Sequence, residues 1–198
     1  MSDLMKKKTL VLYILLAAAL ILGFAVGVWR PYRRAQMVRD RLESTDWQHS
    51  DNAAVRHLVD EFGGTFTCEN EWCEAEIHSS NRVLSILHLA PPMDCRALVH
   101  TTSNRITNFS LTLTNLGHGA SSILVAKTYD PAELGMDGQD YIVNKGNKRN
   151  APFVTVRISV KATREQQMTL NHLELRCLSR FNGCSEQQLG PEIWKLGS

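Results

Sequence analysis

The strongest constraint on this chain is a run without charge. Residues 9–29, TLVLYILLAAALILGFAVGVW, contain no Asp, Glu, Lys, Arg, Asn, Gln or Pro. As a helix these 21 residues are about 31 Å long at ~1.5 Å per residue, close to the ~30 Å hydrocarbon core of a bilayer. Such a segment either crosses a membrane or is removed as a secretory signal. The run is longer than the ~7–15 residue apolar core of a signal peptide, and Arg30, Pro31, Tyr32, Arg33 and Arg34 stand where a small-residue cleavage site belongs. An uncleaved single-pass anchor is therefore expected, with Trp29 and Tyr32 at the headgroup layer. Ala19, Gly23 and Gly27 fall on one face of that helix. The Gly23-x-x-x-Gly27 spacing suits close helix packing, so a second copy of the chain is one candidate partner.

The anchor divides the chain into a basic tail (1–8), the transmembrane helix (9–29), a basic juxtamembrane stalk (30–49) and a globular domain (50–198). The formal charge is +2, from 22 Lys and Arg against 20 Asp and Glu. Six of those bases and only one of those acids lie in residues 1–35, so the remainder is slightly acidic. The basicity belongs to the membrane flanks, and a nucleic-acid footprint is not supported. Lys6, Lys7 and Lys8 precede the run, whereas Arg30, Arg33, Arg34, Arg39 and Arg41 follow it. Counting bases alone would place the domain in the cytoplasm; the cysteines, discussed below, favour an extracytoplasmic domain, which is the orientation expected here.

Beyond the stalk the period of the apolar residues changes twice. Val55, Leu58, Val59 and Phe62 form one helical stripe, opened by Ser50 and Asp51 and stopped by Gly63 and Gly64. From Thr65 the period is two: Cys73, Ala75 and Ile77; Cys95, Ala97 and Val99; Phe109, Leu111 and Leu113; and Val154, Val156, Ile158 and Val160 each alternate with polar neighbours. This marks antiparallel strands with one buried and one wet face. Residues 121–130 add a more apolar strand, and 170–178 is read as a strand pairing with 153–162. Residues 83–87 fit either strand or helix. The fold expected is a mainly β domain of seven or eight strands, a sandwich or half-open barrel, with a short packing helix before it and a short helix at the C-terminus. Residues 164–181 also fit a helix, which Thr163 with Gln166 could open as a capping box, but the strand at 170–178 is preferred; Ser185 with Gln188 is another capping-box pattern, with Gly190-Pro191 as the stop. Residues 130–150 are expected to be the least ordered.

The five cysteines carry the main chemical signal. Cys68 and Cys73 flank a hairpin-length loop, ENEW, and Cys177 and Cys184 flank another turn containing Asn182-Gly183. Two local disulfides with Cys95 as a free, buried thiol is the preferred assignment, and disulfides imply an oxidising compartment. Zinc is the alternative, although these spacings sit at or outside those of common zinc motifs.

No catalytic, cofactor-binding or metal-binding motif stands out: His-Glu-x-x-His, Gly-x-Ser-x-Gly, the Walker loop and Gly-x-Gly-x-x-Gly are all missing. The leading expectation is a membrane-anchored interaction or structural domain without cofactor. Its partners would be the bilayer through residues 9–29 and another envelope protein or a second copy. The alternatives are an anchored hydrolase with His100, His118 and Asp137 as dispersed loop residues, and a cytoplasm-facing module with reduced or zinc-bound cysteines.

Overall fold

The structure is a computed structural model that describes residues 2–117, 120–132, 134–136, 138–148 and 151–196, with side chains from residue 10 onward. The chain begins with one uninterrupted helix, α1 (Ser2–Ser44), with Pro31 inside it. Its first part, long and apolar enough to cross a membrane, is almost wholly exposed. Its last part is different. Ala35, Val38 and Leu42 are at most 2 % exposed and belong to the same core as the sheet. Trp47, in a 3-10 turn (Trp47–His49), is equally buried and donates its indole N–H to the Leu42 carbonyl at 2.7 Å. One face of residues 30–49, the basic juxtamembrane stretch, is thus packed into the domain core. Tyr32, Ala35, Val38 and Leu42 recur on one helical face, while Arg33, Arg34, Arg39 and Arg41 occupy the other positions.

Helix α2 (Asn52–Phe62) follows. Its cap is Asp51, whose carboxylate accepts from the N–H groups of Ala53 and Ala54. Gly63 closes it at φ 68°, in the left-handed region that glycine enters without steric cost. Seven strands then build one sheet: β1 (Thr65–Glu69), β2 (Trp72–Ser80), β3 (Met93–Thr102), β4 (Arg105–Asn115), β5 (Ser121–Thr128), β6 (Tyr141–Lys148) and β7 (Ala151–Ser159). A one-turn helix, α3 (Arg82–Ile86), separates β2 from β3, so residues 83–86 are helical and Leu87 is the C-cap. The order across the sheet is β1-β2-β3-β4-β5-β7-β6, antiparallel throughout except for the parallel β5–β7 pair. The sheet does not close into a barrel, and its second layer is helical.

One row shows the core face. Ile77 of β2 lies opposite Ala97 of β3, Ala97 opposite Leu111 of β4, Leu111 opposite Val125 of β5, and Val125 beside Val156 of β7. This face is covered by the end of α1, by α2, and by the C-terminal segment through Leu170, Leu173, Leu175, Leu178, Leu189 and Ile193. Lys127 is the charged side chain of β5 on that face; burial pulls its ammonium below its usual range, and Glu43 of α1 partly counters that shift.

Two assignments change. Residues 170–178 are not a strand: they form 3-10 turns (Met168–His172 and Leu175–Ser179) that lay Leu170, Leu173, Leu175 and Leu178 over the sheet end. The partner of β7 is instead β6, inside the stretch expected to be least ordered, where Met136 is also fully buried. Both capping boxes are present, at Thr163 opening α4 (Arg164–Gln167) and at Ser185 opening a 3-10 turn (Glu186–Gln188). The turn at Ser185 ends at Leu189, just before Gly190-Pro191, and the same pair opens a further helix, α5 (Pro191–Lys195), because proline's missing N–H costs nothing at the first helical position.

Candidate functional site

Two surfaces carry side chains that packing alone does not require. The first is the open face of the sheet. Period-two alternation sends Glu74, Glu76 and His78 of β2 and Asp94, Arg96 and His100 of β3 to the side away from the core. Register makes Glu74 face His100 and His78 face Arg96. The His100 Nδ1 is 3.6 Å from Glu74 Oε2, and the ring stacks on Trp72 at 5.4 Å between centroids. His78 sits between two carboxylates, 2.9 Å from Glu76 and 3.2 Å from Asp94, and Arg96 pairs with Glu76. Towards β4 and β5 the same face turns neutral, with Ser110, Thr112, Thr114 and Leu124. Charged and uncharged stretches therefore lie side by side on this face, with Thr112, Thr114 and Leu124 partly exposed and Ser110 buried.

The second surface is a groove of about 610 Å³ where α1 leaves its apolar run. Strand β1 pairs with β2 only as far as Glu76, so residues 77–80 of β2 keep an unpaired outer edge. That edge and α1 form the walls. Gly27, Arg30, Pro31 and Arg34 line the helix side, and Arg82 and Val83 of α3 close one end. Gly27 is the close approach: a Cβ there would stand 3.1 Å from Val83 Cγ2. Arg34 donates through Nη2 to the Gly63 carbonyl at 2.6 Å, while its Nε is buried without a partner. Burial, with the like charge of Arg30 adding to it, pulls the Arg34 guanidinium below its ordinary pKa. Three guanidinium groups thus share a cleft whose one carboxylate, Glu76, is engaged by Arg96 and His78.

The predicted cysteine pairs are at disulfide distance. The Sγ atoms of Cys68 and Cys73 are 2.10 Å apart across the β1–β2 hairpin, and those of Cys177 and Cys184 are 2.05 Å apart across the 178–183 turn. Cys95 is free and buried on the core face of β3, where desolvation pushes its thiol up to about 12. The four cysteines a zinc site would need are paired with one another.

The small-residue face of the apolar run is divided. Gly27 is taken by Val83, whereas Gly23 has no atom near it and Ala19 is exposed. Of the hydrolase candidates, His100 lies on the open sheet face; His118 and Asp137 lie outside the described residues. Reading from sequence counted Arg30 and Arg34 only as membrane flanks and missed Arg82 and Val83. Their signal is an α1 face continuing past residue 29, which the density of arginines obscures.

Comparison with known protein families, curated proteins and solved structures finds no match.

Proposed function

We propose that this chain is a single-pass membrane-anchored interaction protein whose β-rich domain stands outside the cytoplasm and offers its open sheet face to another envelope protein. The observation that carries this reading is the continuity of α1. One helix runs from the apolar segment into the domain core, so the open face is held at a fixed angle to the membrane with no flexible linker. The half-buried, interlocked charges on β2 and β3 beside a neutral hydroxyl-rich strip supply orientation for a partner, since paired surface charges add specificity more than affinity.

The orientation draws support from two sources. Paired cysteines persist in oxidising compartments. The arginines that follow the run also have work inside the fold: Arg33 stacks 4.2 Å over Trp29, Arg34 caps Gly63, Arg39 pairs with Asp40 at 3.0 Å and Arg41 with Glu61 at 3.9 Å. Four of the five arginines thus have a contact within the fold, which weakens their count as an argument for a cytoplasmic domain.

A photo-crosslinking residue at Thr112 on the open face should give a discrete adduct in native membranes, while the same residue at Arg56 on α2 should not. Equal labelling from both positions would refute the surface. In intact cells a membrane-impermeant maleimide should label a Lys161→Cys variant; labelling only after permeabilisation would place the domain inside.

A further inference from the structure

The membrane-proximal end of the domain does not stop where the apolar run stops. Phe181 packs against Phe24 at 6.2 Å between ring centroids, and Val83 packs against Gly27. Both helix positions lie inside residues 9–29. The part of the run left uncovered, residues 10–23, is roughly 21 Å long as a helix, about 9 Å short of a ~30 Å hydrocarbon core. Lys6, Lys7 and Lys8 mark the other boundary, so the missing length has to come from the domain end.

That end is built for it. Ile86 is 74 % exposed and Leu87 51 %, just beyond Val83, and Phe181 is 52 % exposed beside them in the fold, its loop tied to theirs by the Asn182 N–H donating to the Leu89 carbonyl at 2.8 Å. Large apolar side chains this exposed, grouped around the exit of an apolar helix, mark a surface that water does not cover. An apolar crevice of about 490 Å³ runs between α1 and the 179–181 turn, lined by Ile21, Phe24, Trp29 and Phe181. On another flank of the helix, at the level of Arg30, opens the groove with Arg34 and Arg82. Acyl-sized apolar surface and a cationic cleft therefore follow one another along the helix axis in the order of a phospholipid's own tail and headgroup.

We infer that the domain is seated in the leaflet from which α1 emerges, with Ile86, Leu87 and Phe181 below the headgroups and the Arg30–Arg34–Arg82 groove holding the phosphate of an anionic lipid. This rests on reading α1 as a membrane span. Guanidinium groups suit phosphate because their donors match it bidentately. Arg34 Nε, buried without a partner, is a donor such a phosphate would satisfy.

The test uses full-length protein reconstituted into vesicles of phosphatidylcholine alone or with phosphatidylglycerol. An environment-sensitive fluorophore is attached at Ile86→Cys, and separately at Lys161→Cys at the far end of the sheet. Flotation with the vesicles checks the anchor itself; protein that stays at the bottom of the gradient would overturn the anchor, and the seating with it. In floated protein, the label at 86 should shift to shorter wavelength and be quenched several-fold more strongly by doxyl-labelled lipid than the label at 161. Equal, water-like signals at both positions would overturn the seating while leaving the anchor intact. The shift should be larger with phosphatidylglycerol. In an Arg30→Gln, Arg82→Gln variant it should fall to the phosphatidylcholine value, with Cys95 still protected from alkylation until the protein is unfolded as a check on folding. A variant that folds and keeps the phosphatidylglycerol preference would overturn the phosphate assignment.

Discussion

Cys95 and its four neighbours in composition differ only in where the fold puts them. Cys68 and Cys73 meet because a hairpin places them opposite each other, and Cys177 and Cys184 because a turn folds back. Cys95 alternates inward with Ala97 and Val99 and meets no thiol. With its thiol pushed up to about 12, on the order of one molecule in 10⁴ carries the reactive thiolate near pH 8. Alkylation of the native protein without reductant should therefore label no cysteine. Alkylation after unfolding should label one, and after unfolding and reduction five. Five labels without reductant would remove both disulfides and the chief support for an outward-facing domain.

At the scale of elements, the last turns of α1 act as a core helix. Leu42 is 1 % exposed, so its truncation leaves a cavity that rigid neighbours only partly fill. Leu42→Ala should cost about 2–4 kcal/mol, read as a lower urea midpoint with unchanged slope. An exposed neighbour gives the contrast: Arg41→Ala should change stability by less than about 1 kcal/mol, because its pair with Glu61 is long and largely solvated. Equal effects at the two positions would mean that this helix does not pack as described. Helix α2 was legible in advance because its stripe and glycine stop lie within a dozen residues, although its cap is Asp51 and not Ser50. The α1 face at Tyr32, Ala35, Val38 and Leu42 was not, since a helix thick with arginine satisfies the pattern of a solvated stalk equally well.

For the molecule as a whole, the domain boundary follows from that packing. A fragment starting at residue 48 lacks Ala35, Val38, Leu42 and Trp47, all at most 2 % exposed. It should be destabilised or aggregate, whereas a fragment of residues 30–198 should unfold in a single urea transition with a mixed strand and helix far-UV spectrum. Equal midpoints for the two fragments would return residues 30–47 to the role of a stalk. The same continuity makes the apolar helix and the domain one body, so in the proposed seating bilayer thickness and lipid charge would act directly on the position of the sheet.

Sequence alone determined what depends on near neighbours. Charge-free length marks the apolar helix, period two marks most strands, and short loops bring Cys68 to Cys73 and Cys177 to Cys184. Tertiary structure decided what depends on distant ones. Leu170 to Leu178 alternate well enough for a strand, yet β7 takes β6 as its neighbour, and those leucines become a helical lid. The strand count came out right because β6 replaced the strand expected at 170–178. The layer on the sheet, the end of α1 in the core, and the meeting of Arg30, Arg34 and Arg82 in one groove all join residues about 30 to 150 positions apart. No local period encodes such contacts; they are set by which apolar faces bury each other at least cost in the folded chain.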